Sequence, residues 1–221
     1  MREVVIDTET TGLDPRAGHR IVEIACLELS HHLRTGRSFH SYLNPEREIP
    51  EDAIAIHGLD AAFLSRQPLF AQIADALLLF IGTDPLVIHN AEFDLAFLNA
   101  ELERLGRKPL GSAHIDTLAL ARRRFPGAPA SLDALCRRFQ IDLSRRDRHG
   151  AEIDCELLAT VYVELLGGKQ PGLDLTPVRG LVRPSMVAAR ASRPHAPSPE
   201  ELARHEAMLE GIRDPIWRAE D

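Results

Sequence analysis

The feature that most constrains the fold is a change of hydrophobic period after the first quarter of the chain. Glu3 to Asp7, built on the apolar run Val4-Val5-Ile6, reads as a buried strand. Arg20 to Leu29 alternates through Ile21, Glu23, Ala25, Leu27 and Leu29 and reads as a second strand; Ser38 to Leu43 reads as a third. Gly12, Pro15 and Gly18 mark the first turn, and Arg34-Thr35-Gly36 the second. From Leu69 the spacing becomes helical, through Ile73, Leu77 and Phe80 to a stop at Gly82. A short apolar strand follows at Leu86 to His89. Asn90 is the expected N-cap of a helix running to Leu105 and closed by Gly106. His114 to Asp116 predicts another short strand. Helices are then expected over Thr117 to Phe125, over Ser131 to Phe139 with Ser131 as cap, and over Ala151 to Leu166. Strands first, then strand and helix in alternation, predict an α/β fold: a mixed sheet, antiparallel meander plus parallel strands, flanked by helices.

Bulk properties fit this plan. The 221 residues, 44% hydrophobic, suit one domain plus extra length. A core of about 165 residues buries roughly 70% of its unfolded surface, so it needs no staples. The three cysteines (Cys26, Cys136, Cys155) are scattered, with no CxxC pair, which predicts reduced, buried thiols and a cytoplasmic protein. No apolar run approaches a membrane span, and no signal peptide is expected. The formal charge is −7: residues 1–167 hold 18 basic against 25 acidic side chains, and the remainder eight of each. A protein that coats duplex nucleic acid should be basic. One that grips a single strand end through metal ions need not be, because bound cations offset the carboxylates.

Five residues spread along the chain have the composition of a phosphodiesterase site. Asp7 and Glu9, two apart at the end of a strand, leave the same face. An acid after Val-Val-Ile on a buried strand is costly without a partner, and a metal supplies one. Asp94 lies in the first turn of its helix, where the helix dipole also favours an acid, but just beyond the carboxyl end of a strand, where open α/β sheets bind ligands. His149 and Asp154 are five apart; on one helix they would diverge by about 140°. Gly150 frees His149 to sit on the loop while Asp154 occupies the first helical turn. Four carboxylates match two hard cations, Mg²⁺ or Mn²⁺, about 3.5–4 Å apart across a scissile phosphate, and His149 is the expected general base. Arg122-Arg123-Arg124 and the stretch Arg145 to Arg148 could contact strand phosphates.

The motifs Asp7-Thr8-Glu9-Thr10-Thr11-Gly12, Val87-Ile88-His89-Asn90-Ala91-Glu92-Phe93-Asp94 and His149-Gly150-Ala151 with Asp154 resemble the three motifs of the histidine branch of the DEDD exonuclease superfamily. Ile56-His57-Gly58-Leu59, Asp116-Thr117-Leu118-Ala119 and Ser131-Leu132-Asp133-Ala134-Leu135-Cys136 extend the resemblance toward its proofreading (epsilon) members from bacterial DNA polymerase III, over about residues 2–167. The resemblance implies a ribonuclease-H-like fold and 3′→5′ removal of nucleoside 5′-monophosphates from single-stranded or frayed DNA. Asp7, Glu9, Asp94 and Asp154 would be metal ligands and His149 the base. Asp7, Glu9, Asp154, His57 and Asp52 would contact substrate; Asp52 stands where the family has a glutamate.

The composition shifts after residue 167. Six of fifteen prolines fall in 168–199, predicting a flexible Pro-rich linker in a C-terminal tail. Within it Gln170-Pro171-Gly172-Leu173-Asp174-Leu175 resembles the sliding-clamp peptide of polymerase subunits, with Gln170, Leu173 and Leu175 as its anchors. A short helix is expected after the capping box Ser198-Pro199-Glu200-Glu201, with Leu202, Leu209 and Ile212 as an apolar stripe. Residues 200–221, which include Trp217, would bind the polymerase catalytic (alpha) subunit. The implied partners are therefore a DNA 3′ end, the alpha subunit, the clamp (beta) and a theta-like small subunit, at a replisome and not at a membrane. A free-standing enzyme trimming RNA or short oligonucleotides is the alternative, for which such a tail has no use. A non-enzymatic scaffold would be expected to lose the acidic set, which is intact.

Overall fold

A computed structural model describes residues 1–144, 146, 149–168, 196–213 and 215. The chain divides into two compact units, Met1–Asp174 and Leu175–Asp221.

The first unit is built on a five-stranded sheet. Strands β1 (Arg2–Thr10), β2 (Ile21–Ser30) and β3 (Leu33–Tyr42) form an antiparallel meander. Strands β4 (Leu86–Ile88) and β5 (His114–Asp116) add in parallel on the other side of β1, giving the order β3-β2-β1-β4-β5. The mixed sheet expected from the sequence is therefore present. Between β3 and β4 lie α1 (Glu51–His57), α2 (Ala61–Leu64) and α3 (Phe70–Ile81). Helix α4 (Ala91–Arg104) links β4 to β5; α5 (Thr117–Arg124), α6 (Leu132–Arg138) and α7 (Ala151–Leu165) follow.

Side-chain alternation on β1 divides the core between the two sheet faces. Val4 and Ile6 join Ile24, Cys26, Leu86 and Ile88 against α3 and α4. Val5 joins Ala25, Leu27 and Val87 against α5, α6 and α7. With both faces covered, nine of the ten residues of β2 are buried, so its two buried acids, Glu23 and Glu28, must find protein partners.

Three local expectations are corrected. The second meander turn is not at Arg34-Thr35-Gly36 but at His31-His32, whose φ angles of 52° and 63° have the signs a two-residue type I′ hairpin needs. Two histidines carry none of the Asn-Gly signal that marks such turns. Gly36, at φ +85°, lies instead inside β3 where the pairing register shifts, so β3 begins five residues earlier than its alternation shows. Asn90 does precede α4, but in the left-handed region (φ 68°) and without a side-chain capping bond; its N–H donates to the Asp116 carboxylate at 3.2 Å. Helices α1 and α2 were not expected; α1 buries only Ala53 and His57, which leaves almost no periodic signal.

In the second unit, α8 (Pro199–Glu210) starts with the expected capping box: Ser198 Oγ accepts from the Glu201 N–H, and the Glu201 carboxylate accepts from the Ser198 N–H at 2.7 Å. Leu202, Met208 and Ile212 are exposed. The clamp-like peptide with Gln170, Leu173 and Leu175, and Trp217, lie outside the described residues. No helix among the described residues is long and apolar enough to cross a membrane.

Candidate active site

Asp7 and Glu9 close the carboxyl-terminal half of β1 on the face shared with Val5, towards α7. Asp94 rises from the first turn of α4, immediately beyond β4, and Asp154 from the first turn of α7. Glu9, Asp94 and Asp154 are all buried, and Asp7 partly so. One ligand atom each from Glu9, His149 and Asp154 lies within 4.8 Å of the others. The electrostatics gather the rest. Burial, then repulsion from Asp94, Asp154 and Glu9, pushes the Asp7 carboxyl well above its ordinary value. Burial and the carboxylates of Asp154 and Glu23 raise Glu9 to about 8. Burial raises Asp94 to about 7, against the opposing effect of a Thr8 hydroxyl that donates to it at 2.7 Å. A cluster of hard oxygen donors with an imidazole at its edge, in which burial pushes Asp7, Glu9 and Asp94 upward, has the donor chemistry of a divalent-cation site.

Among the described residues, one fixed cation enters this cluster. The Arg146 guanidinium, largely enclosed, donates to both oxygens of Asp154 at 2.5 and 2.7 Å, reaches His149 Nδ1 at 3.1 Å, and pairs with Asp133. The stretch Arg145 to Arg148 was expected to meet phosphate; Arg146 faces an acid instead, while residues 145, 147 and 148 lie outside the described set. His149 is half exposed, its Nδ1 3.7 Å from Asp154, and its backbone N–H donates to the carbonyl of Ile56 at 3.3 Å.

Beside the acids opens a cleft of about 620 Å³, lined by Glu9, Thr10, Leu13, His57, Phe93 and the exposed Asp52 among others. His57 Nδ1 accepts the Leu59 N–H at 3.0 Å, which puts the ring proton on Nε2; that nitrogen is buried without a hydrogen-bond partner. Burial lowers the His57 pKa, in keeping with a neutral ring. At the cleft's edge, His19 packs on Gly12 so closely that a Cβ there would meet its ring at 2.3 Å.

Sequence reasoning missed Thr8, Glu23 and the pairing of Arg146. Glu23 had a visible signal: it is the one charged residue in the alternating run from Ile21 to Leu29 that reads as a buried face.

The comparisons with known proteins agree with this geometry. Residues 4–162 match the family model described as Exonuclease (RNase_T). The DNA polymerase III subunit epsilon of Rickettsia felis is 48% identical over 224 residues, covering 96% of this chain and 97% of the relative. The subunit of the same name from Escherichia coli K12 is 37% identical over 237 residues, covering 99% and 98%. Exonuclease X in complex with 5′ overhanging duplex DNA superposes with a TM-score of 0.59 at 27% identity, over 74% of this chain and 90% of that one. The nuclease domain of 3′hExo, a DEDDh family member, shares the fold with a TM-score of 0.63 at 22% identity, over 75% and 91%. Exonucleases of this kind depend on divalent metal. Fold, acidic cluster and nearly full-length relatives together show that the chain belongs to the exonuclease family, within it to the epsilon subunits of bacterial DNA polymerase III, and is a 3′–5′ exonuclease.

Proposed function

We propose that this chain proofreads newly made DNA: it hydrolyses the terminal phosphodiester at single-stranded or frayed DNA 3′ ends and releases nucleoside 5′-monophosphates one at a time. The observation that carries this reading is the convergence of four acids and an imidazole beside an open, largely apolar cleft. Asp7, Glu9, Asp94 and Asp154 hold two cations, Mg²⁺ or Mn²⁺, which oxygen-rich donor sets favour. When bound, the cations acidify an attacking water and offset charge on the phosphate. His149, at the solvent edge of the cluster, takes the water's proton as general base. The terminal nucleotide lies in the cleft, with the free Nε2–H of His57 as a donor to it and with Asp52 at the rim. A mismatched end reaches the cleft more readily than a paired one because less unpairing is required.

The chain does this work in the cytoplasm, bound to the polymerase alpha subunit through 200–221 and to the clamp through Gln170, Leu173 and Leu175, with a theta-like small subunit as a further partner. The exposed Leu202 and Met208 of α8, with Ile212 just beyond its end, supply apolar surface of the kind a partner covers. The test is digestion of a 3′-mismatched primer, its matched counterpart and an RNA of the same sequence, with Mg²⁺, with Mn²⁺ and with EDTA. Faster loss of the mismatched DNA end, abolished by EDTA, is expected. Preference for the RNA would replace proofreading with RNA trimming, and pull-down of alpha and clamp with and without 168–221 tests the tail.

A further inference from the structure

Helix α7 carries Asp154, and its N-cap is Gly150, which has no side chain to satisfy the first N–H groups of the helix. A carboxylate from another element does so. Glu23 on β2, with only 4% of its side chain exposed, accepts the Ala151 N–H on Oε2 at 3.2 Å. Its other oxygen, Oε1, accepts from His40 Nε2 on β3 at 2.7 Å. Glu23 is also the cross-strand partner of Glu9. A buried acid set directly opposite another acid is unfavourable unless something fixes it there. The helix N-terminus and the His40 ring are the groups that do, and an anion at a helix start is favoured by the helix dipole.

We propose that Glu23 is a positioning residue for the exonuclease reaction: by capping α7 from across the sheet, it sets the separation between Glu9 on β1 and the His149–Asp154 end of α7. His40 keeps its carboxylate from swinging toward Glu9. The inference rests on the proposed holding of cations by Glu9 and Asp154, since their spacing is what the cap controls.

The test is Mn²⁺ binding to the full chain by calorimetry, with kcat and KM on a mismatched primer, for wild type, Glu23→Ala and Glu23→Gln. Glu23→Ala is expected to weaken Mn²⁺ binding by about 10-fold or more, in the range typical of residues that orient metal ligands. It should lower kcat far more than it raises KM. Glu23→Gln keeps an acceptor for the Ala151 N–H and should restore most of the affinity. Unchanged affinity in Glu23→Ala would overturn the proposal. So would equal weakening in Glu23→Gln, because charge and not the cap would then be responsible. If Glu23→Ala does not fold, Glu23→Asp, one methylene short of Ala151, takes its place; wild-type affinity in that variant would overturn the proposal equally. A wild-type chain that bound no Mn²⁺ would overturn the cation assignment and this inference with it, whereas wild-type binding unaffected by any Glu23 change would overturn the inference alone.

Discussion

The two ends of β1 both bury carboxylates and treat them oppositely. At the amino end, Glu28 on the neighbouring strand accepts from Arg2, from Arg37 at 3.0 Å and from the Thr35 hydroxyl at 2.9 Å, and the Arg2 bond chiefly draws its pKa below the ordinary range. Glu3 beside it accepts the Tyr162 hydroxyl at 2.7 Å and has His32 close to its other oxygen. At the carboxyl end, Asp7, Glu9 and Asp94 lie together and are pushed upward, and among the described residues the fixed cation beside them is Arg146, which pairs with Asp154. One end is neutralised by the chain itself and holds the sheet together. The other is left short of positive charge, which stabilises nothing until mobile cations arrive. A buried acid therefore marks function only when its surroundings fail to neutralise it.

The largest effect that could break this contrast is on catalysis. Asp7→Ala is expected to abolish nucleotide release from a mismatched primer, and His149→Ala to lower it by about 10²–10⁴-fold, the range for a general base; circular dichroism should show both folded. Normal digestion by purified His149→Ala protein would exclude His149 as the base. Arg146→Gln leaves the buried Asp154 carboxylate without its bidentate partner and should cost about 3–5 kcal/mol, read as a lower metal-free melting temperature at pH 8; an unchanged melting temperature would show that the pair does not hold the carboxyl end together. The contrast between the two ends should appear in stability as well. Glu28→Gln should cost about 1–3 kcal/mol in urea unfolding through loss of charge-assisted hydrogen bonds, with nuclease activity unchanged. Asp7→Asn, by relieving repulsion, should raise the melting temperature of the metal-free chain. If both substitutions moved stability in the same direction, the two ends would not differ as described.

A smaller effect is expected from pH. Glu9 at about 8 and Asp94 at about 7 lie above their values in an unfolded chain, near 4.5 and 3.8, so the folded metal-free protein binds more protons between those limits. Stability contributed by these groups is full below pH 4 and is lost as pH rises to about 8. Melting in EDTA should therefore occur at lower temperature at pH 8 than at pH 6, with Mg²⁺ closing most of the gap; a melting temperature that rose with pH in EDTA would contradict the shifts.

How much of this was legible in the sequence follows from how far each signal travels along the chain. Val4-Val5-Ile6 before Asp7, the Ser131 and Ser198 caps and the Gly82 stop are local patterns, and the structure places the corresponding elements within a few residues of expectation. The first half of β3 was not legible because its residues face solvent and carry no alternation. The Arg146–Asp154 and Thr8–Asp94 contacts were not legible because they join residues on different elements whose meeting depends on tertiary packing. The acids were expected from type and spacing; that Asp7, Glu9 and Asp94 are pushed upward follows from their enclosure, which spacing does not reveal.

The contact between Gly12 and His19 gives a handle on this enzyme that lies apart from its acids. Even a methyl group at residue 12 would evict the imidazole and reshape the rim of the cleft. If the cleft holds the DNA end as proposed, such a variant should raise KM for a mismatched primer and leave kcat near wild type, separating the fidelity of end selection from the speed of hydrolysis; an unchanged KM would show that this rim does not touch the strand.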